Sequence, residues 1–185
     1  MNVYDFDKTI YDGDSTFDFI KWCVKKKPII TLRLLPGTVA FGGYLLRLCE
    51  KTDFKEKFYR FLFSVPDVDK WVEEFWNDNQ SGIKEWYLIN QNEDDIIISA
   101  SPEFLLRPIC KRLGIKNLLA SRVDKDTGMY LGRNCHGQEK VRRFRKNFDD
   151  EIDEFYSDSY SDAPLANISK KAFLVSGDTI TPWEE

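Results

Sequence analysis

The chain has 185 residues and a formal net charge of −4 at pH 7. This length is enough for one ordinary domain, or for a compact core that carries a modest insertion. Hydrophobic residues make up 42% of the sequence, which allows a packed core and excludes global disorder. The acidic balance argues against nucleic acid as the main partner.

The cysteines give no pattern of zinc ligands, since none forms a C-x-x-C pair and His136 is the one histidine of the chain. They are Cys23, Cys49, Cys110 and Cys135. Reduced thiols in a cytoplasmic protein are therefore expected. The N-terminal residues show no basic segment followed by an apolar run, so no secretory signal is predicted.

Residues 2–6 form a short apolar run that ends in acidic residues, which predicts a buried strand. From residue 15 to about residue 90 the hydrophobic period is helical. Phe17, Ile20 and Val24 share one helical face, and core packing is the simplest explanation of such a stripe.

After residue 95 the pattern changes to strands alternating with helices. The predicted strands cover 96–98, 118–123, 129–131, 154–157 and 172–175. One helix is expected to begin at Ser101-Pro102-Glu103 and another to cover 138–146. Alternation of this kind predicts an α/β protein with a parallel sheet and helices on both faces.

The helical stretch between the first strand and the later α/β half is too long for an ordinary crossover connection. A helical cap inserted after the first strand resolves this difficulty. We therefore predict a core domain formed by residues 1–13 and 91–185, and a helical cap domain formed by residues 14–90.

Two carboxylates, Asp5 and Asp7, stand two residues apart at the end of the first predicted strand, where the period of two aims both into one crevice. Two close carboxylates repel, so one is expected to bind a cation or keep a proton. One can attack phosphorus while the other donates a proton to the leaving group and later activates water. A solvated acidic loop is the alternative.

Three further positions follow predicted strands or begin a helix, and each has an ordinary explanation. Ser99 precedes a helix N-terminus, which favours an anion, but taken alone it is more typical of a loop or cap serine. Lys140 taken alone is typical of a solvated helical lysine. Asp158 and Asp162 offer the hard oxygens that suit Mg²⁺, although an acidic loop with a helix cap explains them equally well.

Together these motifs resemble the haloacid dehalogenase superfamily of phosphatases, in its phosphoserine-phosphatase-like branch. They are DFDKT at 5–9, IIISASPE at 96–103, Lys140 within NCHGQEKV, and YSDSYSDAPL at 156–165. They stand in the family's order along the chain. The resemblance implies a Rossmann-like three-layer α/β/α core with a parallel sheet and an inserted all-α cap.

The resemblance also implies a role for each motif residue. Asp5 is the nucleophile that forms an aspartyl-phosphate, Asp7 is the general acid/base, and Lys140 neutralises the nucleophile and the phosphate. The implied phosphate-binding residues are Thr9, Ser99, Ala100 and Lys140. The implied Mg²⁺ ligands are the Asp5 carboxylate, the Asp7 backbone carbonyl and Asp158, with Asp162 in support.

Two departures from the branch argue against phosphoserine as the substrate. Asp14 stands where phosphoserine phosphatases carry the glutamate that contacts the substrate amine, and Ser99-Ala100-Ser101 replaces their serine-glycine-glycine. The main hypothesis is thus a cytoplasmic Mg²⁺-dependent phosphatase of a small phosphorylated metabolite.

A phosphotransferase or phosphonate-cleaving relative would share the aspartate nucleophile, and two further alternatives remain open at the level of sequence. In the first, the substrate is a lipid phosphate resembling phosphatidylglycerophosphate, and the apolar stretch 34–46 and the lysines at 25–27 rest on a membrane surface. That stretch is too short to span a bilayer. In the second, the chain binds phosphate without turnover. The oligomeric state is not predicted.

Overall fold

The computed structural model describes residues 1–34 and 56–184. The strands, in chain order, are β1 (Asn2–Tyr4), β2 (Ile96–Pro102), β3 (Asn117–Ser121), β4 (Ile152–Ser157), β5 (Ser169–Ser176) and β6 (Thr179–Pro182). The helices named here are α1 (Ser15–Lys26), α2 (Val68–Asn79), α3 (Glu85–Asn90), α4 (Glu103–Arg112), α5 (Gln138–Asn147) and α6 (Ala163–Ala166). Short 3₁₀ turns lie at Arg60–Ser64, Gln80–Gly82 and Tyr160–Asp162.

The strands form one six-stranded sheet in the order β3-β2-β1-β4-β5-β6. The first five are parallel, and β6 pairs antiparallel with β5. The chain runs outward from β1 in both directions, with β2 on one side and β4 on the other. A crevice therefore opens at the carboxyl end of β1, where ligands bind in sheets of this kind.

Side chains of the central strands alternate between two hydrophobic clusters, one on each face of the sheet. Tyr4 and Ile97 lie in the cluster formed with α4 and with the helices that follow β1. Val3, Ile96 and Phe155 lie in the other cluster, against α5 and α6. The predicted three-layer α/β core with a parallel sheet is confirmed.

The helices between β1 and β2 start at side-chain caps. The Asp14 carboxylate accepts from the Phe17 N–H at 2.9 Å and begins α1, and Asp67 caps α2 in the same way. Helix α2 packs against the core, since the Trp76 indole N–H donates to the Leu105 carbonyl at 2.7 Å and its ring meets Phe6 edge-on. The division into a core domain and a cap domain stays a prediction.

The structure corrects three strand predictions. Strand β2 continues to Pro102, so Ser99 lies inside it rather than after it. No strand forms at 129–131, where Val123 and Tyr130 make an isolated bridge and Met129 is exposed to solvent. Strand β6 was not predicted because all four of its residues are exposed and show no apolar alternation.

Among residues 1–34 and 56–184, no helix has the length and the apolar character needed to cross a bilayer. The apolar stretch 34–46 lies, except for Leu34, outside the described residues. Its predicted contact with lipid stays a prediction.

Candidate active site

A cavity of about 770 Å³ opens at the carboxyl ends of β1, β2 and β4. Its polar wall brings together side chains that are distant in the sequence. They are Asp5, Asp7, Lys8, Asp14, Ser101, His136, Lys140, Asp158 and Asp162, together with Ser159 and Ser161. The five charged residues that the motifs singled out thus meet in one crevice, at the point where the strand order reverses.

Asp5 follows β1 directly, and its backbone N–H continues the sheet by donating to the Tyr156 carbonyl at 2.9 Å. Its carboxylate contacts the Lys140 ammonium at 2.9 Å. Burial raises the pKa of the Asp5 carboxyl above its ordinary value, and Lys140 opposes this rise. The ion pair therefore favours the ionised carboxylate that a nucleophile requires.

The Lys140 side chain is 2% exposed and reaches the crevice from the first turn of α5. Its ammonium lies 2.9 Å from Asp5 and 2.6 Å from Asp162. Burial alone lowers the pKa of Lys140, but the two carboxylates more than offset it and raise the pKa above the ordinary value. Lys140 is consequently a fixed positive charge, not the solvated helical lysine of the alternative interpretation.

Asp162 is buried at the start of α6 and orients the lysine. One of its oxygens accepts from Lys140 and, at 2.8 Å, from the Ser157 hydroxyl. The other oxygen, Oδ1, is buried and has no hydrogen-bond partner among the described residues. A buried carboxylate oxygen without a partner is costly, so this atom suits a cation or an ordered water.

Asp7 is held by two donors that arrive from different elements. The Ser15 N–H, in the first turn of α1, donates to Oδ1 at 2.7 Å, and the Ser101 hydroxyl donates to Oδ2 at 2.5 Å. Burial raises the pKa of Asp7, the nearby Asp14 adds to the rise, and both serines oppose it. The result is a positioned carboxyl that is easier to protonate than a solvated aspartate, as a general acid requires.

The loop after β1 turns sharply enough to place Asp5 and Asp7 in the same cavity. Lys8 has φ 56°, a left-handed conformation that is uncommon for residues other than glycine. Its N–H donates to the Gly13 carbonyl at 2.8 Å, which closes the loop. The Lys84 ammonium donates to the Lys8 carbonyl at 2.9 Å and to that of Gly177 at 2.5 Å.

The three uncharged residues of the predicted phosphate site lie at different depths. Ala100 lines the cavity, while Ser99 and Thr9 are buried and are not among the cavity-lining residues. The Ser99 hydroxyl accepts from the Ser101 N–H at 3.1 Å. The Thr9 hydroxyl is buried and has no described partner. The roles of Thr9, Ser99 and Ala100 in phosphate binding stay predictions.

The oxygen ligands in the crevice fit a magnesium ion. Asp158 follows β4, lines the cavity and is half-buried, and burial raises its pKa. Within the described part of the chain, no cluster of three His, Cys, Asp or Glu side chains encloses a metal position. Mg²⁺ does not need one, because it keeps several waters and takes few protein ligands. Asp5, Asp158 and the unpartnered oxygen of Asp162 are the side-chain atoms that would serve.

Sequence reasoning missed three residues at the site or beside it. Ser101 faces Asp7 because the register between β2 and β3 shifts between Ser99 and Pro102, and such an irregularity re-aims side chains. Lys84 is buried against backbone carbonyls, and His136 lines the cavity beside Lys140. Only Ser101 had a local signal, as part of the motif at 96–103, and it was assigned there to a helix start.

The chain is similar to a family of hydrolases and to a named phosphatase. A sequence model described as haloacid dehalogenase-like hydrolase matches residues 3–167. A histidinol-phosphatase from Neisseria meningitidis is 25% identical over 99 residues, which cover 46% of this chain and 45% of that protein. The matched part thus spans less than half the length of this curated relative.

Solved structures share the fold over most of the chain. A protein of unknown function from Bordetella pertussis Tohama I has a TM-score of 0.74 and 20% identity, covering 93% of this chain and 87% of that one. A phosphoserine phosphohydrolase-like protein from Francisella tularensis has a TM-score of 0.58 and 18% identity, with coverages of 93% and 86%. Since the family model extends from β1 to α6 and contains every charged residue of the crevice, this chain belongs to the haloacid dehalogenase-like hydrolase family.

Proposed function

We propose that this protein hydrolyses phosphomonoesters through an aspartyl-phosphate on Asp5, with Mg²⁺ as cofactor. One observation carries the proposal. Asp5 lies where the strand order reverses, and its carboxylate contacts the buried Lys140 ammonium at 2.9 Å. The Asp7 carboxylate accepts hydrogen bonds from the Ser15 N–H and the Ser101 hydroxyl. This is the arrangement that nucleophilic catalysis with a separate proton donor requires.

In the first step an oxygen of the Asp5 carboxylate attacks phosphorus, and the bond from phosphorus to the substrate oxygen breaks. The Asp7 carboxyl gives its proton to the departing oxygen, so that an alcohol leaves. In the second step the Asp7 carboxylate takes a proton from water, which attacks the phosphorus of the aspartyl-phosphate and releases phosphate. Asp5 and Asp7 return to their initial states.

The charge on the phosphoryl oxygens needs compensation throughout both steps. Lys140 supplies a fixed positive charge next to Asp5, and Asp162 and Ser157 hold it in place. When bound, Mg²⁺ adds charge stabilisation at the phosphoryl oxygens, and Asp5, the Asp7 backbone carbonyl, Asp158 and Asp162 are the residues that would hold it. In this proposal Ala100, which lines the cavity, completes the phosphate site together with Ser99 and Thr9, which are buried.

The contacts of the lysines at 25–27 favour a soluble substrate over one presented at a membrane. Lys26 pairs with Glu74 and lies over the Trp22 ring at 4.6 Å. The Lys27 ammonium donates to the Ser64 carbonyl at 2.9 Å. Two of the three charges are thus already engaged within the protein.

A cytoplasmic location stays a prediction, and Cys23, like the other cysteines of the described residues, is a free thiol.

The test is a screen of phosphomonoesters with Mg²⁺, run on the wild type and on two matched variants. We expect Asp5→Asn to lower kcat by at least about a thousandfold, because the amide cannot serve as the nucleophile. Asp12→Asn is the control, since Asp12 belongs to the same loop and is exposed. Removal of metal with EDTA should stop turnover, and added Mg²⁺ should restore it. Full activity of Asp5→Asn would refute the mechanism, and binding of phosphate without turnover by the wild type would favour the non-catalytic alternative.

A further inference from the structure

Helix α1 carries apolar residues that pack in the hydrophobic core and apolar residues that line the active-site cavity. The Phe19 ring meets Phe61 and Phe75 edge-on, with centroids 6.0 and 5.4 Å apart, so this face is covered by the protein. A second face, formed by Phe17, Ile20 and Val24, lines the active-site cavity. Ile20 is buried in the core and Val24 packs against it, while Phe17 is 54% exposed. The stripe that predicted core packing therefore serves both the core and the cavity.

The second face is continuous with the reaction site. Thr16 and Lys21 belong to the same cavity wall, and Leu34 and Tyr59 extend its apolar part. A volume of about 770 Å³ is in the range of sites for ligands of many atoms, far larger than one phosphoryl group. An apolar wall of this size beside a phosphate site favours a hydrocarbon group on the substrate.

The charged groups near this wall are poorly arranged to bind an amino-acid phosphate. Of the described acidic residues that line the cavity, Asp14 is the only one outside the proposed chemistry, and its carboxylate already accepts from the Phe17 N–H at 2.9 Å. The Lys21 ammonium contacts Asp18 at 3.3 Å and lies 4.8 Å from the centre of the Phe17 ring. Among the described residues of this wall, a substrate ammonium could therefore meet only Asp14, one oxygen of which already caps α1.

We infer, on the basis of the proposed function, that the substrate is the phosphate monoester of an apolar alcohol whose hydrocarbon part lies on Phe17, Ile20 and Val24. The phosphoryl group lies at Asp5, and the alcohol leaves along α1. The hydrolysis itself is unchanged: water is consumed, and phosphate and the alcohol are released. The inference adds the class of alcohol and the residues that select it.

The test measures kcat/KM for n-alkyl phosphates from ethyl to octyl, with phosphoserine and histidinol phosphate as polar comparators. Burial of each methylene is worth at most a factor of about four, so we expect a rise of about two- to fourfold per methylene until the cavity is filled. Both polar comparators should be slower than butyl phosphate. An equal rate along the series, or a preference for phosphoserine, would overturn the inference and leave the phosphatase function standing.

A conservative substitution tests whether the dependence of kcat/KM on chain length comes from α1. Val24→Thr keeps the branched shape and adds a hydroxyl, so it should lower the octyl-to-ethyl ratio of kcat/KM by about three- to tenfold. Val68→Thr is the matched control on α2, because Val68 is buried but does not line this cavity, and it should leave the ratio unchanged. An unchanged ratio in Val24→Thr would contradict the assignment to this face.

A last comparison asks whether the apolar phosphate monoester is free in solution or part of a lipid in a bilayer. Dihexanoyl phosphatidic acid as a monomer and dioleoyl phosphatidic acid in phosphatidylcholine vesicles carry the same phosphate on an apolar group. Faster hydrolysis of the monomer supports a free apolar phosphate, and faster hydrolysis in vesicles supports a lipid headgroup. Failure to hydrolyse any phosphomonoester would refute the proposed function itself, which distinguishes that outcome from a flat chain-length series.

Discussion

Replacement of Lys140 by methionine removes the one ammonium that contacts both Asp5 and Asp162, at 2.9 and 2.6 Å. Methionine fills a similar volume, so the loss is one of charge. Two carboxylates are then left without their cation in a buried site. Removal of one partner of a buried pair costs about 3–5 kcal/mol of unfolding free energy. At about 2–4 °C per kcal/mol for a chain of this size, Tm should fall by roughly 6–20 °C.

The measurement is urea denaturation together with calorimetry, both in EDTA so that bound metal does not contribute. Lys146→Met is the matched control, because Lys146 lies in the same helix and is exposed. The double variant Lys140→Met/Asp162→Asn removes one of the two carboxylates and should be more stable than the sum of the single changes predicts, by about 1–3 kcal/mol. A loss below about 1 kcal/mol for Lys140→Met, or strict additivity in this cycle, would refute the argument.

Three further changes probe the residues around the site. Ser101→Ala removes the hydroxyl that donates to Asp7 and should lower kcat about tenfold with little change in KM, as measured by steady-state kinetics. Lys84→Met removes two partly buried hydrogen bonds to backbone carbonyls and should lower the unfolding free energy by about 1–3 kcal/mol in urea. Glu139→Gln should cost about 1 kcal/mol near pH 6 and almost nothing near pH 2, as measured by urea denaturation across that range.

The sign of the Glu139 effect follows from its neighbours. Hydrogen bonds from Arg142, and then from Arg143, lower the pKa of Glu139 to about 2, although burial opposes them. Stability from this group is therefore present above the ordinary pKa of 4.5 and is lost as the pH falls toward 2. If the difference in unfolding free energy between the wild type and Glu139→Gln grew as the pH fell, this prediction would be wrong.

Controls keep the other two changes interpretable. Ser176→Ala changes an exposed serine at the end of β5 and should leave kcat unchanged. Lys116→Met removes an exposed ion pair and should leave stability within about 0.5 kcal/mol. An unchanged kcat in Ser101→Ala would show that Asp7 needs no second donor. A Lys84→Met protein as stable as the wild type would show that the loop after β1 holds its shape unaided.

Local sequence determined the elements that carry the chemistry. The apolar runs before Asp5 and at 96–98 are typical of buried strands, and the alternation of strands and helices after residue 95 then favours a parallel sheet. Because carboxyl ends of parallel strands share one edge, the acidic residues after β1 and β4 had to converge. The position of Lys140 at a helix start followed in the same way.

Tertiary structure alone decided the partners of those residues. Asp7 and Ser101 are 94 residues apart and meet because β2 changes register, which no local pattern encodes. Lys84 and Lys8 are 76 residues apart, and an isolated lysine in the sequence does not indicate a hydrogen bond to a distant backbone carbonyl. The face formed by Phe17, Ile20 and Val24 has the period of a core helix, and hydrophobic period reports only that a face avoids water. What covers it depends on how the helix packs, and here the packing places Ile20 in the core and all three residues along the cavity beside Asp5.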